Sequence, residues 1–449
     1  MSRPSDEETD IRRRLGANYW RLWVASVVSN VGDGVAQIAY PWLASAVTRV
    51  PLLIAVIAVV QRLPWLVFTL PAGVITDRVD RRKIMVAMDL TRMVITLGVA
   101  LAVAAEASGL PAPDEIGSGV VAGTNTMLYL ALLGSALLFG MAEVLRDNAA
   151  QTILPAIVEP ESLERANGRL WGAEMVANSF AGPPLGSLLI GVLFALPFFV
   201  DAGTFALAAG LIFLMKGNFQ TTPGEGKVAW RQEISEGFRW LWRHEVLRPM
   251  AIILGLLNGL GMMTFATFVL FAQEVLGVDA FAFALLMTAG AAGGVIGSVS
   301  ASAVSKRLGS GTSLVVVLVG SVITSFVIGT AGWWPIVWIM FAASSLLAVL
   351  WNVITVSFRQ TIIPDALLGR VNSVYRFFGW GMMPIGLFVG GAIVSGVDLF
   401  ASREVALRVP WLAAAASYVV LAIYAAPKLT TEKLESARTT AVNPQPPGH

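Results

Sequence analysis

The chain has 449 residues, of which 13% are charged and 56% hydrophobic, and a charge content near half that of soluble proteins excludes a string of soluble domains. Zero Cys excludes disulfides, thiolate metal sites and a thiol nucleophile, and with His244 and His449 as the sole histidines an imidazole-based active site has no support. The net charge of +2 discriminates nothing; the placement of the charges does.

A helical crossing takes about 20 mostly apolar residues. Twelve such runs follow in chain order, at roughly 22–47, 51–76, 84–106, 127–145, 170–195, 197–215, 249–272, 281–304, 312–331, 335–357, 372–396 and 409–427. An even number puts both ends on one side. The segments on that side hold 25 of the 31 Lys and Arg, whereas the opposite side holds Arg49, Arg403 and Arg408. Positive residues stay in the cytoplasm, so both termini are expected there. Ala44-Ser45-Ala46 resembles a signal-peptide cleavage site, but the apolar run before it is too long and Asp33 interrupts it. Tyr19, Trp20, Trp23 and Trp42 at the ends of span 1, and Trp333, Trp334 and Trp338 near the outer face, fit interfacial belts. The expectation is an all-α, multi-pass protein of the inner (plasma) membrane.

Span 1 carries Asp33, and an ionisable group in hydrocarbon costs at least about 2.5–3.5 kcal/mol, so it marks a pathway or a partner. Ser26, Asn30, Asp33 and Gln37 follow at helical spacing and form one polar stripe. Span 2 carries Arg62 at the same depth, which makes it the expected partner of Asp33. Two readings stand: a proton-carrying carboxylate facing a wet cavity, or an ion pair that fixes the packing of spans 1 and 2. In span 3, Asp89 and Arg92 lie three apart, as do Glu143 and Arg146 at the end of span 4, so each acid has a neutralising neighbour on its own helix. Glu143 joins Asp33 and Arg62 as a proton-coupling candidate. Glu174 and Asp201 lie early in spans 5 and 6, near enough to an interface to be solvated. Spans 8 to 12 contain no acid.

The longest connection opens with Gly217-Asn218-Phe219 and the turn-prone stretch 221–226. Trp230, Ile234, Phe238 and Leu241 then recur at helical spacing among charged residues, which reads as an amphipathic helix on the cytoplasmic leaflet. It divides the chain into a tail (1–21), a six-helix bundle (22–215), the linker (216–248), a second six-helix bundle (249–427) and a disordered tail (428–449). Internal symmetry supports this division: Gln151-Thr152-Ile153-Leu154-Pro155 returns as Gln360-Thr361-Ile362-Ile363-Pro364, Asn30 corresponds to Asn258, and Arg78 to Arg307.

After span 2 stand Gly73, Asp77, Arg78, Arg81, Arg82 and Lys83, and on span 5 Gly182-Pro183-Pro184-Leu185-Gly186. The first set resembles the G-x-x-x-D-R-x-G-R-R signature of the major facilitator superfamily, with Asp80 in place of its second glycine. The second is similar to that superfamily's antiporter motif. Ser29–Gly34, Leu154-Pro155 with Glu164–Gly168, and Asp201–Phe205 look like its branch of macrolide-efflux and enterobactin-exporter-like proteins. The resemblance implies two pseudo-symmetric six-helix bundles with twelve transmembrane helices, alternating access, and spans 1, 4, 7 and 10 around a central cavity. It gives Gly73, Asp77, Arg78, Arg81 and Arg82 to a cytoplasmic latch, and Gly182, Pro183 and Gly186 to a close contact with the small residues Gly290, Gly293, Gly294 and Gly297 of span 8. The superfamily's mid-span Arg on helix 4 has no counterpart, since Arg146 falls at the end of that span.

Candidate substrate-binding residues are Asn30, Gln37, Asn258, Met262, Phe265, Tyr375 and Trp380, an apolar, aromatic wall with few polar anchors that suits amphipathic organic molecules. The expected function is export of such molecules, of drug, macrolide or siderophore type, by proton antiport. The alternative is a proton-independent facilitator or lipid flippase of the same fold. Enzymatic activity lacks a metal cluster, a nucleophile-base pair or a phosphate-cradling loop, and nucleic-acid binding lacks a basic domain. The expected partners are a small-molecule substrate, protons and membrane lipid; the chain is expected to work as a monomer without a cofactor, on the proton gradient.

Overall fold

The structure is a computed structural model that describes residues 15–112, 115–116, 123–220 and 230–442. All regular structure among the described residues is helical. The helices are α1 (Ala17–Val47), α2 (Pro51–Val67), α3 (Thr69–Arg78), α4 (Arg81–Ala105), α5 (Thr126–Ile157), α6 (Leu163–Met175), α7 (Gly182–Val192), α8 (Leu196–Phe213), α9 (Trp230–Arg243), α10 (Leu247–Phe265), α11 (Phe268–Glu274), α12 (Ala280–Leu308), α13 (Ser310–Thr330), α14 (Trp334–Ile362), α15 (Asp365–Val397), α16 (Arg403–Ala425) and α17 (Thr431–Val442). Ten helical stretches among the described residues are long and apolar enough to cross a membrane. The other two expected crossings are α1, whose polar stripe lowers its hydropathy, and α2, which continues after a break at Phe68 into α3.

Helix starts follow local chemistry. Asp80, in place of the motif's glycine, is the N-cap of α4: its carboxylate accepts from the amides of Arg82 (2.8 Å) and Lys83 (3.4 Å). Its φ of −56° is open to any L-residue, so the turn needs no glycine there. Asn125 caps α5 in the same way, accepting from the Leu128 amide at 3.1 Å.

The chain forms two compact units. The first comprises 1–49, 60–225 and 279–284; the second comprises 50–59, 226–278 and 285–449. Short segments thus depart from the boundaries expected at the linker. The start of α2 belongs to the second unit because the Leu52 amide donates to Ser395 Oγ of α15 (3.0 Å) and Gly391 of α15 leaves no room beside Leu52 and Ala55. Phe283 belongs to the first because its ring lies against Trp42, centroids 5.6 Å apart. In the first unit α1 packs on α7 and α8, and α4 on α5 and α8. In the second, α10 packs on α15 and α13 on α14 and α16.

The linker helix α9 docks on protein along one face: Leu241 is fully buried, Phe238 and Trp242 stack near Phe378 of α15, and Glu236 pairs with Arg370 at 2.6 Å. The Trp230 and Ile234 side chains lie outside the described residues. The tail expected to be disordered from 428 is helical over Thr431–Val442, because Leu429 and Leu434 find buried sites and Thr431 Oγ1 accepts from the amides of Gly311 (3.1 Å) and Thr312 (3.3 Å). Residues 1–14 and 443–449 lie outside the description.

The charge asymmetry gives a test of orientation that the absence of native Cys makes clean. Leu399→Cys, at a position 87% exposed after α15, is expected to react with a membrane-impermeant maleimide in intact cells, and Thr440→Cys only after lysis. The reverse pattern would invert the topology.

Candidate functional site

The polar stripe of α1 serves two neighbours. Toward α6 and the segment after it, Ser26 Oγ donates to Glu174 Oε1 (3.2 Å), and Asn178 Nδ2 donates to Asn30 Oδ1 (3.2 Å). Gln37 Nε2 in turn donates to Asn178 Oδ1. Toward α4, Asp33 meets Arg92, with Nη1 to Oδ1 at 3.8 Å, and Ser29 Oγ lies between them, 3.5 Å from Asp33 and 3.4 Å from Arg92. Asp33 is 27% exposed while Arg92 is 2% exposed. The carboxylate therefore stands at the accessible edge of a buried cation.

Arg92 is the hub of a larger network. It pairs with Asp89 one turn back on α4, and its guanidinium lies over Phe205 of α8, 4.2 Å from the ring centroid. Arg146 of α5 reaches Asp89 at 3.5 Å and Asp147 at 3.8 Å. Two expectations change here. Asp33 pairs with Arg92, not with Arg62, which is exposed on α2; equal depth on consecutive helices did not make them neighbours, because α1 packs against α4's partners α5 and α8. Arg146 turns to Asp89 instead of Glu143. Glu143 is half-buried, and the charges of Asp147, Asp33 and Arg62 act on it.

The proline motif shapes the wall opposite. Pro183 and Pro184 have no amide to offer the carbonyls of Ser179 and Phe180, and the helix relaxes there into a π-turn over Val176–Ala181. That turn presents Asn178 to α1. Behind it the backbones touch: a Cβ on Gly34 would meet Asn178 O at 2.6 Å and Gly182 Cα at 2.9 Å, and one on Gly186 would meet Val35 O at 2.7 Å. The motif's glycines thus serve the close approach of α7 to α1. Gly293 and Gly297 of span 8 in turn accommodate Ala342, Leu346 and Val349 of α14.

In the second unit Asn258 Nδ2 donates to Gly379 O of α15 (2.9 Å). Asn30 and Asn258, matched by internal symmetry, thus each join the first helix of their half to its fifth. Met262 packs at the edge of a small cluster with Ala55 and Leu387, Phe265 is exposed and stacks near Phe268, and Trp380 is exposed with Arg376 over its ring at 4.7 Å. Tyr375 is no cavity residue: it is buried in the core, its hydroxyl donating to Met250 O (3.4 Å) with Arg359 over its ring.

Of the latch residues, Arg81 donates to Thr152 O (2.8 Å) and Arg82 to Met215 O (2.5 Å), tying the start of α4 to the ends of α5 and α8. Gln220 donates to Arg78 O (3.0 Å), and Gly73 has open space where a Cβ would stand. The Asp77 side chain lies outside the described residues. Among the described residues no group of three or more His, Asp or Glu is placed to hold a metal.

Sequence reasoning missed Asn178 and the place of Asp201. Asp201 is fully buried, not solvated: its Oδ1 lies against Thr204 Oγ1 (3.4 Å), and a Cβ on Gly32 would strike both side chains. The signal available was small residues, Gly32 and Gly34, flanking Asp33, which allow another helix to come close.

The profile of the Major Facilitator Superfamily matches residues 22–387. The multidrug efflux pump Tap of Mycolicibacterium fortuitum is 26% identical over 401 residues, 86% of this chain and 91% of the pump. The enterobactin exporter EntS of Citrobacter koseri is 24% identical over 381 residues, 84% of each chain. A bacterial homologue of the iron transporter ferroportin, solved in an inward-facing state, has the same fold with a TM-score of 0.65 at 16% identity, over 91% of this chain and 98% of that one.

Two outcomes follow from the packing and the network. Gly34→Val is expected to lower the melting temperature and the folded yield in detergent, whereas Gly191→Ala, with open space around it, leaves both unchanged. Arg92→Met removes the nearer of the two cations of buried Asp89, leaving Arg146 at 3.5 Å, and is expected to cost roughly 3–5 kcal/mol, most of it recovered in the Asp89→Asn/Arg92→Met pair. Equal losses in the single and double variants would mean that Arg92 acts through packing, not charge.

Proposed function

Because this chain belongs to the Major Facilitator Superfamily, as a multi-span membrane transporter and not an enzyme, we propose that it exports amphipathic small organic molecules by proton antiport with alternating access. The halves are the six-helix bundles 22–215 and 249–427, with both termini in the cytoplasm. Asp33 carries the proton and Arg92 is the partner whose attraction it gains and loses. Energy comes from the proton gradient, without a cofactor, and the chain works as a monomer.

The observation that carries this reading is the Asp33–Arg92 pair. Arg92 is already held by Asp89, so Asp33, at 3.8 Å and 27% exposed, is the member that can leave. Two unit charges near 4 Å attract by about 4 kcal/mol at an effective dielectric of about 20. Screening at the exposed edge reduces this, yet about 1.4 kcal/mol already shifts a two-state equilibrium tenfold. Protonation of Asp33 from outside thus frees α1 from α4 and biases the return step, and deprotonation inside restores the pair before reloading. Glu143, half-buried on the neighbouring α5, is a second acid within reach of the same field.

The relatives' names point to drugs and a siderophore, and the accessible aromatics Phe265 and Trp380, with the thioether of Met262, suit amphipathic molecules. Asn30, Gln37 and Asn258 supply the polar anchors, and Gly73, Asp77, Arg78, Arg81 and Arg82 act as the latch on the cytoplasmic side.

In proteoliposomes with an imposed pH gradient, Asp33→Asn is expected to abolish gradient-driven ethidium transport. Wild-type rates in that variant would remove Asp33 from the cycle, and wild-type transport insensitive to a protonophore would favour the facilitator or flippase.

A further inference from the structure

The first unit contains buried polar atoms that the ion network does not use. Asp201 of α8 is fully buried with Oδ2 free of any protein hydrogen bond, and the same is true of Thr96 Oγ1 of α4 and Tyr40 Oη of α1. These atoms belong to three helices, of which α8 packs on both α1 and α4. The hydroxyls of Thr96 and Ser135 face the Tyr40 hydroxyl without reaching hydrogen-bond geometry, and the charges of Asp201 and Asp33 both act on it. The Tyr40 ring meets Phe198, one turn before Asp201, with centroids 5.1 Å apart. Buried polar atoms in native proteins are satisfied by protein or by ordered water, and for these three atoms, left unpartnered by protein, water is the donor and acceptor.

Charge counting makes the same point. The charged groups facing this region are Asp33 from α1, Asp89 and Arg92 from α4, Arg146 and Asp147 from α5, and Asp201 itself. Two guanidinium groups cannot balance four ionised carboxylates in a helical bundle. Asp33 and Asp147 are partly exposed and Asp89 is held by two cations, so the shortfall bears on fully buried Asp201, which has no salt bridge and a single long hydrogen bond from Thr204 and is the least able to hold charge. Asp33 follows directly after Gly32, whose backbone lies against the Asp201 carboxylate.

We propose that Asp201 is a second proton-binding carboxyl of the coupling site, exchanging its proton with Asp33 on one side and with water held by Tyr40 and Thr96 on the other. This rests on the proton-antiport reading for its place in transport. The Asp201 carboxyl passes its proton to the Asp33 carboxylate, which releases Asp33 from Arg92, and the new Asp201 carboxylate takes over part of the attraction of Arg92. Water at Tyr40 and Thr96 then relays a proton from the outside solution to Asp201, taking one up as it gives one away. The path lies within the first unit, separate from the accessible edge at Asp33.

Infrared difference spectroscopy on the purified protein in liposomes tests this without a transported substrate. The wild type is expected to show the C=O stretch of a protonated buried carboxyl that Asp201→Asn removes and Asp33→Asn leaves in place. That band should shift in deuterated water at least tenfold more slowly in Tyr40→Phe/Thr96→Val. An unchanged band in Asp201→Asn overturns the assignment, and an unchanged exchange rate in the double variant overturns the path. Asp201→Glu, expected to restore a carboxyl band, separates loss of the proton site from loss of the fold, which melting curves of each variant also report. If the band behaves as expected while the wild type moves no protons with ethidium, the antiport reading fails and the proton site stands.

Discussion

A guanidinium group cannot be left alone inside a helical bundle, and the first unit is arranged around that constraint. Arg92 is 2% exposed and is held by Asp89 on its own helix, by Asp33 on α1 and by the face of Phe205 on α8. No single bond accounts for its position. Removing a partner leaves charge uncompensated in low dielectric, so the three helices are coupled electrostatically as well as by packing. The coupling is uneven: Asp89 is fully buried and fixed, whereas Asp33 is partly accessible and 3.8 Å away. Asp33 is thus the loosely held partner of Arg92.

The second device is backbone approach. Gly34 and Gly182 lie so close that neither tolerates a Cβ, and the π-turn that ends at Gly182 arises from two prolines that cannot donate. This geometry places Asn178 between Asn30 and Gln37, so polar side chains in an apolar helix find partners instead of lipid. The second unit repeats the idea in simpler form. Asn258 reaches a backbone carbonyl at Gly379, and Gly386 meets the backbone of Gly259 without room for a side chain. Internal symmetry survives as a way of joining first and fifth helices, even where the residues differ.

Sequence patterns carried much of this arrangement. Twelve apolar runs, the polar stripe on α1, the linker helix and the superfamily motifs were all readable, because each depends on neighbours within a few turns. The exceptions are instructive. Asp80 stands where the signature has its second glycine, and it caps α4. Residues 431–442 looked too polar to order, yet two leucines and one threonine hydroxyl anchor them. Tyr375 looked like a cavity aromatic and is core. In each case a few long-range contacts outweighed local composition.

The sequence by itself determined the solvent of this protein, its helical spans and the presence of intramembrane charge, since hydropathy and helical periodicity are local properties set by side-chain chemistry. Tertiary structure decided who partners whom. Asp33 could have met Arg62 or Arg92, and Asp201 could have been solvated or sealed; periodicity fixes depth and face along one helix but says nothing about which neighbour that face meets. That choice belongs to packing between helices far apart in the chain, where Gly32, Gly34 and the π-turn admit α8 and α7 against α1 and leave Arg92 as the cation beside Asp33.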